Sequence, residues 1–150
     1  MKLEPTGEEL EPRNSVAVLD GGAQYVDLIV RSCTRLGYGA DILPLDTPHE
    51  ELSGYDAFIL SGGPDDVFAE GAVLPDKQIW ETKKPVLGIC YGHQLMTQAF
   101  GGKVEPGPRQ EGILKTTVEN KNHPIFLQTK DEIMARFTHG NIVTEVPPGF

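Results

Sequence analysis

The order of apolar segments predicts an α/β fold: an open, mostly parallel sheet with helices on both faces. Short apolar runs that end in glycine-bearing turns indicate buried strands. These runs alternate with segments whose apolar residues recur every three or four positions, which is typical of helices. Strand, helix, strand in succession implies right-handed crossovers and a parallel sheet. With 150 residues the chain is long enough for one domain with a real core and too short for two.

Each element up to residue 102 has its own local signal. The predicted strands cover residues 16–19, 41–45, 57–60 and 85–89, and the predicted helices cover 24–36, 75–82 and 92–100. Gly37 closes the first helix as its C′ residue. Pro75 suits the first turn of the second helix. Gly101 and Gly102 end the third helix.

The two ends of the chain have a different character. Residues 1–14 are mostly polar and acidic with two prolines, which predicts a disordered or loosely attached tail before a domain over residues 15–150. After Gly102, shorter strands are predicted at 103–104, 113–118 and 133–137, separated by Gly, Pro and Asn turns. We expect them to extend the same sheet or to form its edge, as an incomplete set of C-terminal strands.

Composition excludes several classes of function. A formal net charge of -9 argues against a protein that binds the phosphate backbone of a nucleic acid. No stretch approaches the roughly 18 apolar residues of a membrane span, and no apolar signal-peptide core is present at the start. The two cysteines, Cys33 and Cys90, form no CxxC motif and no zinc pattern. We therefore expect reduced thiols in the cytoplasm, with no metal, membrane or nucleic-acid partner.

Cys90 is the candidate nucleophile. It stands after a predicted strand in Gly88-Ile89-Cys90-Tyr91-Gly92, a cysteine version of the G-x-S-x-G nucleophile elbow. Glycine on both sides lets the backbone crowd together, so that the central side chain is presented at the edge of the sheet. The N-terminus of the following helix also favours the thiolate. The alternative is a buried structural cysteine, a common fate of this residue.

A second glycine turn supplies candidate oxyanion donors. Attack on an amide carbonyl produces an oxyanion that needs backbone N–H groups aimed at it. Ser61-Gly62-Gly63-Pro64 follows a strand, and its glycine pair allows close approach of the backbone. We pair the N–H of Gly63 with that of Tyr91, the residue after the nucleophile. A simple β-turn is the alternative.

Three motifs together resemble a class I (triad) glutamine amidotransferase domain, a flavodoxin-like α/β fold. They are residues 88–94 around Cys90, residues 61–64, and Asp20-Gly-Gly-Ala-Gln-Tyr25. Within the family, Gln24-Tyr25, Tyr91 and the segment from Thr138 to Phe150 are most similar to the glutaminase domain of GMP synthetases. His93 departs from that subgroup, which more often has Met there. The resemblance covers about residues 15–150.

The resemblance implies a role for each site residue. Cys90 would attack the carboxamide of L-glutamine, giving a glutamyl thioester and ammonia. Gly63 and Tyr91 would supply the oxyanion-hole amides. The residues implied in substrate binding are Gly62, Gln94, His139, Gly140 and Asn141. Without the resemblance, Gln94 would be an ordinary helix residue. The ammonia would serve an ATP-dependent synthetase domain or subunit that aminates XMP to GMP, and only that partner would need ATP and Mg.

The sequence departs from the family at the pair of residues that activates the cysteine. This pair is a histidine and a glutamate in a Phe-His-Pro-Glu segment after the His-Gly-Asn loop, and residues 1–150 contain no such segment. We assign none of the four histidines as the base: His49, His93, His123 or His139. His93 is expected to point along its own helix, whereas His139 could approach the pocket. We therefore expect the 150-residue chain to be inactive alone.

Three alternative interpretations stay open. The chain could be an inactive amidotransferase-like module that binds glutamine or a partner. It could be an amidotransferase of another pathway, such as anthranilate or carbamoyl phosphate synthesis. It could also be another cysteine α/β enzyme, such as a γ-glutamyl hydrolase or a related stress protein. Gln94 together with residues 61–64 favours an amidotransferase over the last group.

Overall fold

The computed structural model describes residues 14–64 and 66–150, and a parallel sheet forms its centre. Its strands, in the spatial order β2-β1-β3-β4, are β1 (Ser15–Asp20), β2 (Gly39–Pro44), β3 (Ala57–Leu60) and β4 (Val86–Gly88). Leu19 is in register with Leu60, and Leu60 with Gly88. The carboxyl ends of β1, β3 and β4 therefore meet at one edge, where ligand sites of open parallel sheets form.

Helices cover both faces of this sheet, as predicted. The helices are α1 (Val26–Arg35), α2 (His49–Leu52) and α3 (Tyr91–Ala99). Successive side chains of a strand point to opposite faces, so β1 divides its apolar residues between two layers. Val16 and Val18 pack with Cys33 of α1, whereas Ala17 and Leu19 pack in a larger core with residues of α2 and α3.

Helix α1 and its end confirm the predicted helix over 24–36. The helix ends at Arg35, and Gly37 follows with φ +90°. A positive φ is easily adopted by glycine because it has no Cβ. The Gly37 N–H bonds to the Thr34 carbonyl oxygen at 3.0 Å, which satisfies one of the last carbonyls of the helix.

The prediction of a helix over 75–82 is wrong. Only a 3₁₀ turn forms there, at Lys77–Trp80. Asp76 starts this turn, and its carboxylate accepts the Gln78 N–H at 3.0 Å and the His49 N–H at 2.9 Å. The turn is therefore fixed against α2, and Pro85 soon afterwards leads the chain into β4. The one-turn helix α2 was not predicted because four residues carry too little periodicity.

The residues after Gly102 form strands, as predicted, but the predicted placement of these strands is wrong. They form a separate antiparallel ribbon of two long strands, β5 (Lys103–Thr117) and β6 (Glu132–Glu145), rather than an extension or edge of the parallel sheet. The two strands pair with each other along almost their whole length, so the predicted short strands merge. The register shifts between Pro106 and Gln110. Proline has no N–H to donate, so an irregular stretch fits this position.

The ribbon places the predicted His-Gly-Asn loop differently. Residues 139–141 lie within β6, where Asn141 is opposite Pro106 and His139 is opposite Gln110. The predicted tail, except for Asn14, lies outside the described residues. Within the described part of the chain, no helix has both the length and the apolar character needed to cross a bilayer.

Candidate active site

Cys90 occupies the strained elbow that the sequence predicts. Its backbone has φ 51° and ψ −112°, and it alone among the described non-glycine residues has a positive φ. Such a conformation costs about 1–3 kcal/mol and persists only where the surrounding structure enforces it. The enforcing contacts include hydrogen bonds from the Gly92 N–H to the Ser61 carbonyl at 3.1 Å and to the Ile89 carbonyl at 3.0 Å. The thiol is exposed at the first turn of α3.

The two glycines of the elbow are required by close packing. A Cβ on Gly88 would lie 2.7 Å from the Gly92 carbonyl oxygen and from the backbone of His93. A Cβ on Gly92 would overlap the carbonyl oxygen of Leu60, at the end of β3. Any larger residue would therefore push α3 away from the sheet.

The turn after β3 packs directly against the nucleophile. A Cβ on Gly62 would lie 3.2 Å from the Cys90 Cβ and 3.7 Å from its Sγ. A Cβ on Gly63 would overlap the carbonyl oxygen of Gly21. The three glycine-bearing turns after β1, β3 and β4 are thus in mutual contact around Cys90, as the sheet topology predicts.

Two side chains that the sequence analysis did not single out hold these turns together. Ser61 is fully buried, and its hydroxyl accepts the Gly21 N–H at 3.0 Å and donates to the Gly62 carbonyl at 2.8 Å. The Asp20 carboxylate accepts the N–H groups of Gly22 and Ala23 at 2.8 Å and 3.2 Å. Their position at the ends of β1 and β3 was the available signal. These bonds orient the backbone on which the proposed oxyanion donors depend.

Tyr91 has a structural contact of its own. Its ring is buried, and its hydroxyl donates to the Val73 carbonyl at 2.8 Å. The first residue of α3 is therefore fixed to the loop after residue 66. The pairing of the Tyr91 and Gly63 amides as an oxyanion hole stays a prediction.

A cleft of about 420 Å³ opens between the start of α3 and the ribbon. The predicted site residues that line it are Cys90, Gln94, His139 and Asn141. Gly62 packs behind Cys90, Gly63 packs against the first turn, and Gly140 lies in β6 between two lining residues. Further lining residues, missed because the ribbon was not predicted, are Ile89, His93, Gln110, Arg136, Phe137, Thr138, Ile142 and Val143.

Gln94 joins α3 to the ribbon. Its side chain is only 7% exposed, and its Nε2 donates to the Asn141 carbonyl oxygen at 3.3 Å. The side chain of Asn141 in turn donates to the carboxylate of Asp66 at 2.9 Å. Gln94 and β6, which the resemblance implies in binding the same end of glutamine, are therefore in direct contact.

Two of the four histidines lie in the cleft. His93 lines it beside Cys90, contrary to the expectation that it would point along its own helix. Partial burial of its ring disfavours the charged form and lowers the pKa of His93 from the ordinary value, and the nearby His139 lowers it further. The His139 ring lies 5.5 Å from that of Phe137, and its Nδ1 is buried without a hydrogen-bond partner among the described residues. His49 and His123 lie elsewhere: His49 begins α2 beside Asp76, and the His123 ring accepts the Ile125 N–H at the start of a 3₁₀ turn.

The sequence matches a known family over most of its length. The family is glutamine amidotransferase class-I, and the match covers residues 17–150. The chain belongs to the class I glutamine amidotransferases. The family and the α/β fold predicted from the motifs are thereby confirmed.

Among class I amidotransferases, the chain is similar to GMP synthases that are named as glutamine-hydrolysing. It is 41% identical to that of Aquifex aeolicus over 140 residues and 42% identical to that of Chlorobium luteolum over 142 residues. These alignments cover 92% and 91% of this chain, and 28% of each relative. The chain thus spans less than a third of the length of these relatives.

Two solved structures share the fold. A protein described as a GMP synthase subunit, from Thermoplasma acidophilum, superposes with a TM-score of 0.81 at 29% identity, covering 93% of this chain and 71% of that one. A glutamine amidotransferase from Thermotoga maritima gives a TM-score of 0.65 at 21% identity, covering 93% of this chain and 65% of that one. The second likeness concerns the fold alone.

Proposed function

We propose that this chain is the glutamine-hydrolysing portion of a GMP synthase, with Cys90 as its nucleophile. The observation that carries the proposal is the strained conformation of Cys90 at the mouth of a cleft that it shares with Gln94 and β6. Strain of this kind concentrates at functional sites. An exposed thiol at a helix N-terminus is also the microenvironment of a reactive cysteine rather than of a structural one.

The proposed reaction splits amide hydrolysis into two steps. The Cys90 thiolate forms an S–C bond to the side-chain carbonyl carbon of L-glutamine, and the C–N electron pair leaves with a proton as ammonia. Water then attacks the glutamyl thioester, releasing glutamate and restoring the thiol. The amides of Gly63 and Tyr91 are proposed to stabilise the oxyanion of each tetrahedral intermediate. A reducing compartment such as the cytoplasm suits a mechanism that needs a free thiol.

Substrate binding is proposed to involve both walls of the cleft. Gln94 from α3 and the backbone of His139, Gly140 and Asn141 from β6 would hold the amino-acid end of glutamine, while Gly62 leaves room beside Cys90. Their contact through the Gln94–Asn141 hydrogen bond supports a shared role. No cofactor or metal is needed for this hydrolysis.

The proposed destination of the ammonia is an ATP-dependent synthetase domain or subunit that aminates XMP to GMP. The relatives named as GMP synthases support this assignment over anthranilate or carbamoyl phosphate synthesis. ATP and Mg belong to the synthetase reaction alone.

Residues 1–150 by themselves are proposed to be inactive in turnover. Departing ammonia needs a proton, which is half of the work of a catalytic histidine. No histidine in the described residues hydrogen-bonds to the Cys90 thiol. His93 and His139 lie in the cleft, and the ring of His139 packs against that of Phe137. The same observation favours a second candidate function, the binding of glutamine without turnover.

One experiment separates these functions. Ammonia and acid-stable glutamyl-protein are measured after incubation with labelled L-glutamine, using wild type and Cys90→Ala. Because ammonia departs slowly without a proton donor, the proposal expects a glutamyl adduct that forms slowly and depends on Cys90, with at most a single equivalent of ammonia and no further turnover. Repeated Cys90-dependent release of ammonia would show that the isolated chain is active. A wild type that binds glutamine without forming an adduct would identify a binding module.

A further inference from the structure

Helix α3 packs against both strands of the ribbon, and one residue of β6 adds hydrogen bonds to that packing. Two side-chain hydrogen bonds link β6 to the parallel-sheet part of the described chain, and both involve Asn141. Its carbonyl oxygen accepts from Gln94 Nε2 at 3.3 Å, and its side-chain Nδ2 donates to Asp66 Oδ1 at 2.9 Å. Because His139 and Asn141 line the cleft, these bonds also set the position of the cleft wall above Cys90.

Asp66 is also held by hydrogen bonds within its own loop. Its Oδ1 also accepts the Phe68 N–H at 3.0 Å, and its backbone carbonyl accepts the Ala69 N–H at 2.9 Å. This is an Asx-type turn, in which a short carboxylate is fixed by its own backbone. The contact with Asn141 therefore needs little further ordering of the Asp66 side chain.

The contacts form a continuous chain around the site. Asp66 follows the turn that packs on Cys90, Asn141 lies on β6, and Gln94 lies on α3. The Gln94 N–H closes the path by bonding to the Cys90 carbonyl at 3.0 Å. Three segments that are far apart in sequence thus meet through Asn141, and the Asp66–Asn141 contact joins residues 75 positions apart.

We propose that Asp66 is a positioning residue that holds β6 over Cys90 and, through Asn141, keeps Gln94 turned towards the amino-acid end of glutamine. This rests on the proposed function. A carboxylate suits the role because a charge-assisted hydrogen bond is stronger than a neutral one. Asp66 acts through Asn141 and does not contact the reacting atoms.

The test uses the full 150-residue chain and a charge swap. Asp66→Ala removes the acceptor, whereas Asp66→Asn keeps an oxygen that can accept from both Phe68 and Asn141. Asn141→Asp places two carboxylates against each other, and the double variant Asp66→Asn with Asn141→Asp restores an amide–carboxylate pair. The control is Glu70→Ala, an exposed carboxylate of the same loop that makes no hydrogen bond or ion pair among the described residues.

Two readouts are measured on every variant. Hydrogen–deuterium exchange of the amides of residues 139–143 reports the attachment of the ribbon without any ligand. The rate of Cys90 alkylation by the chloroketone analogue of L-glutamine, which loses chloride, is divided by the rate with iodoacetamide, which loses iodide. This ratio reports recognition of glutamine apart from access to the thiol.

For Asp66→Ala and Asn141→Asp we expect faster hydrogen exchange and a lower alkylation ratio. Each should change by about three- to tenfold, which is the factor that corresponds to the loss of one hydrogen bond. Asp66→Asn, which keeps only a neutral acceptor, should lie between wild type and Asp66→Ala. The double variant and Glu70→Ala should stay close to wild type. The proposal is overturned if Asp66→Ala behaves as Glu70→Ala does, or if the double variant is no better than Asn141→Asp. A wild-type ratio equal to that of free glutathione would instead contradict the proposed function, and the exchange data would still decide the role of Asp66.

Discussion

Replacing Cys90 with glycine should make the protein more stable than replacing it with alanine. Cys90 has φ 51°, where a Cβ is strained by about 1–3 kcal/mol. Cys90→Ala keeps that Cβ, whereas Cys90→Gly removes it and adds about 0.5–1 kcal/mol of backbone entropy cost. At the middle of both ranges the expected net advantage of glycine is about 1.2 kcal/mol, and at most it is about 2.5 kcal/mol. For a chain of this size the mid-range value is a difference in melting temperature of about 2–5 °C.

The second cysteine supplies the matched control. Cys33 lies within α1 with ordinary helical geometry, so Cys33→Gly should be less stable than Cys33→Ala by about 1 kcal/mol. All four variants are compared by thermal and urea unfolding. The order of glycine and alanine should therefore reverse between the two positions. The same order at both would refute the strained elbow, because it would mean that Cys90 has an ordinary backbone conformation.

The remaining predictions concern packing and protonation. Gly92→Ala should lower the free energy of unfolding by about 1–3 kcal/mol because its Cβ would overlap the Leu60 carbonyl, whereas Gly54→Ala, with open space around it, should leave urea unfolding almost unchanged. His139→Asn should raise the pKa of His93 in an NMR titration, yet leave it below the ordinary value because desolvation of the partly buried ring remains the larger cause. Folding lowers the pKa of His93. Its contribution to stability is therefore fully present above the unfolded pKa of about 6.5, and it is lost as the pH falls through the pKa of the folded state. His93→Gln should flatten that part of the pH–stability curve, and an unaltered curve would contradict the lowered pKa.

The parallel sheet and the elbow could be predicted because their signals are local. The run Val16–Leu19 is apolar throughout because β1 is buried on both faces, and it ends where the first turn begins. The G-x-C-x-G pattern predicts the elbow because no residue with a Cβ fits at Gly88 or Gly92, where neighbouring backbone packs closely. Parallel pairing then brings the ends of neighbouring strands together without further information.

The ribbon could not be predicted for two reasons. Prolines interrupt the strand pattern of β5 in the sequence, and the residues that pair with β5 lie far along the chain. Pro106 and Pro108 divide β5 into short runs in the sequence, although the strand continues past them. Pairing of β5 with β6 is a long-range event with no turn motif of two residues to announce it. The positions of His93 in the cleft and of Asp66 against Asn141 depend on that pairing, so they were missed for the same reason.

The central claim, that Cys90 serves a glutamine-specific cleft, is tested most directly by substrate protection. Alkylation of Cys90 by the chloroketone analogue is followed by mass spectrometry at increasing concentrations of L-glutamine or D-glutamine. The account predicts that L-glutamine slows the alkylation of Cys90 saturably, that D-glutamine does not, and that the buried Cys33 stays unlabelled. Alkylation of Cys90 at an unchanged rate in saturating L-glutamine would contradict it.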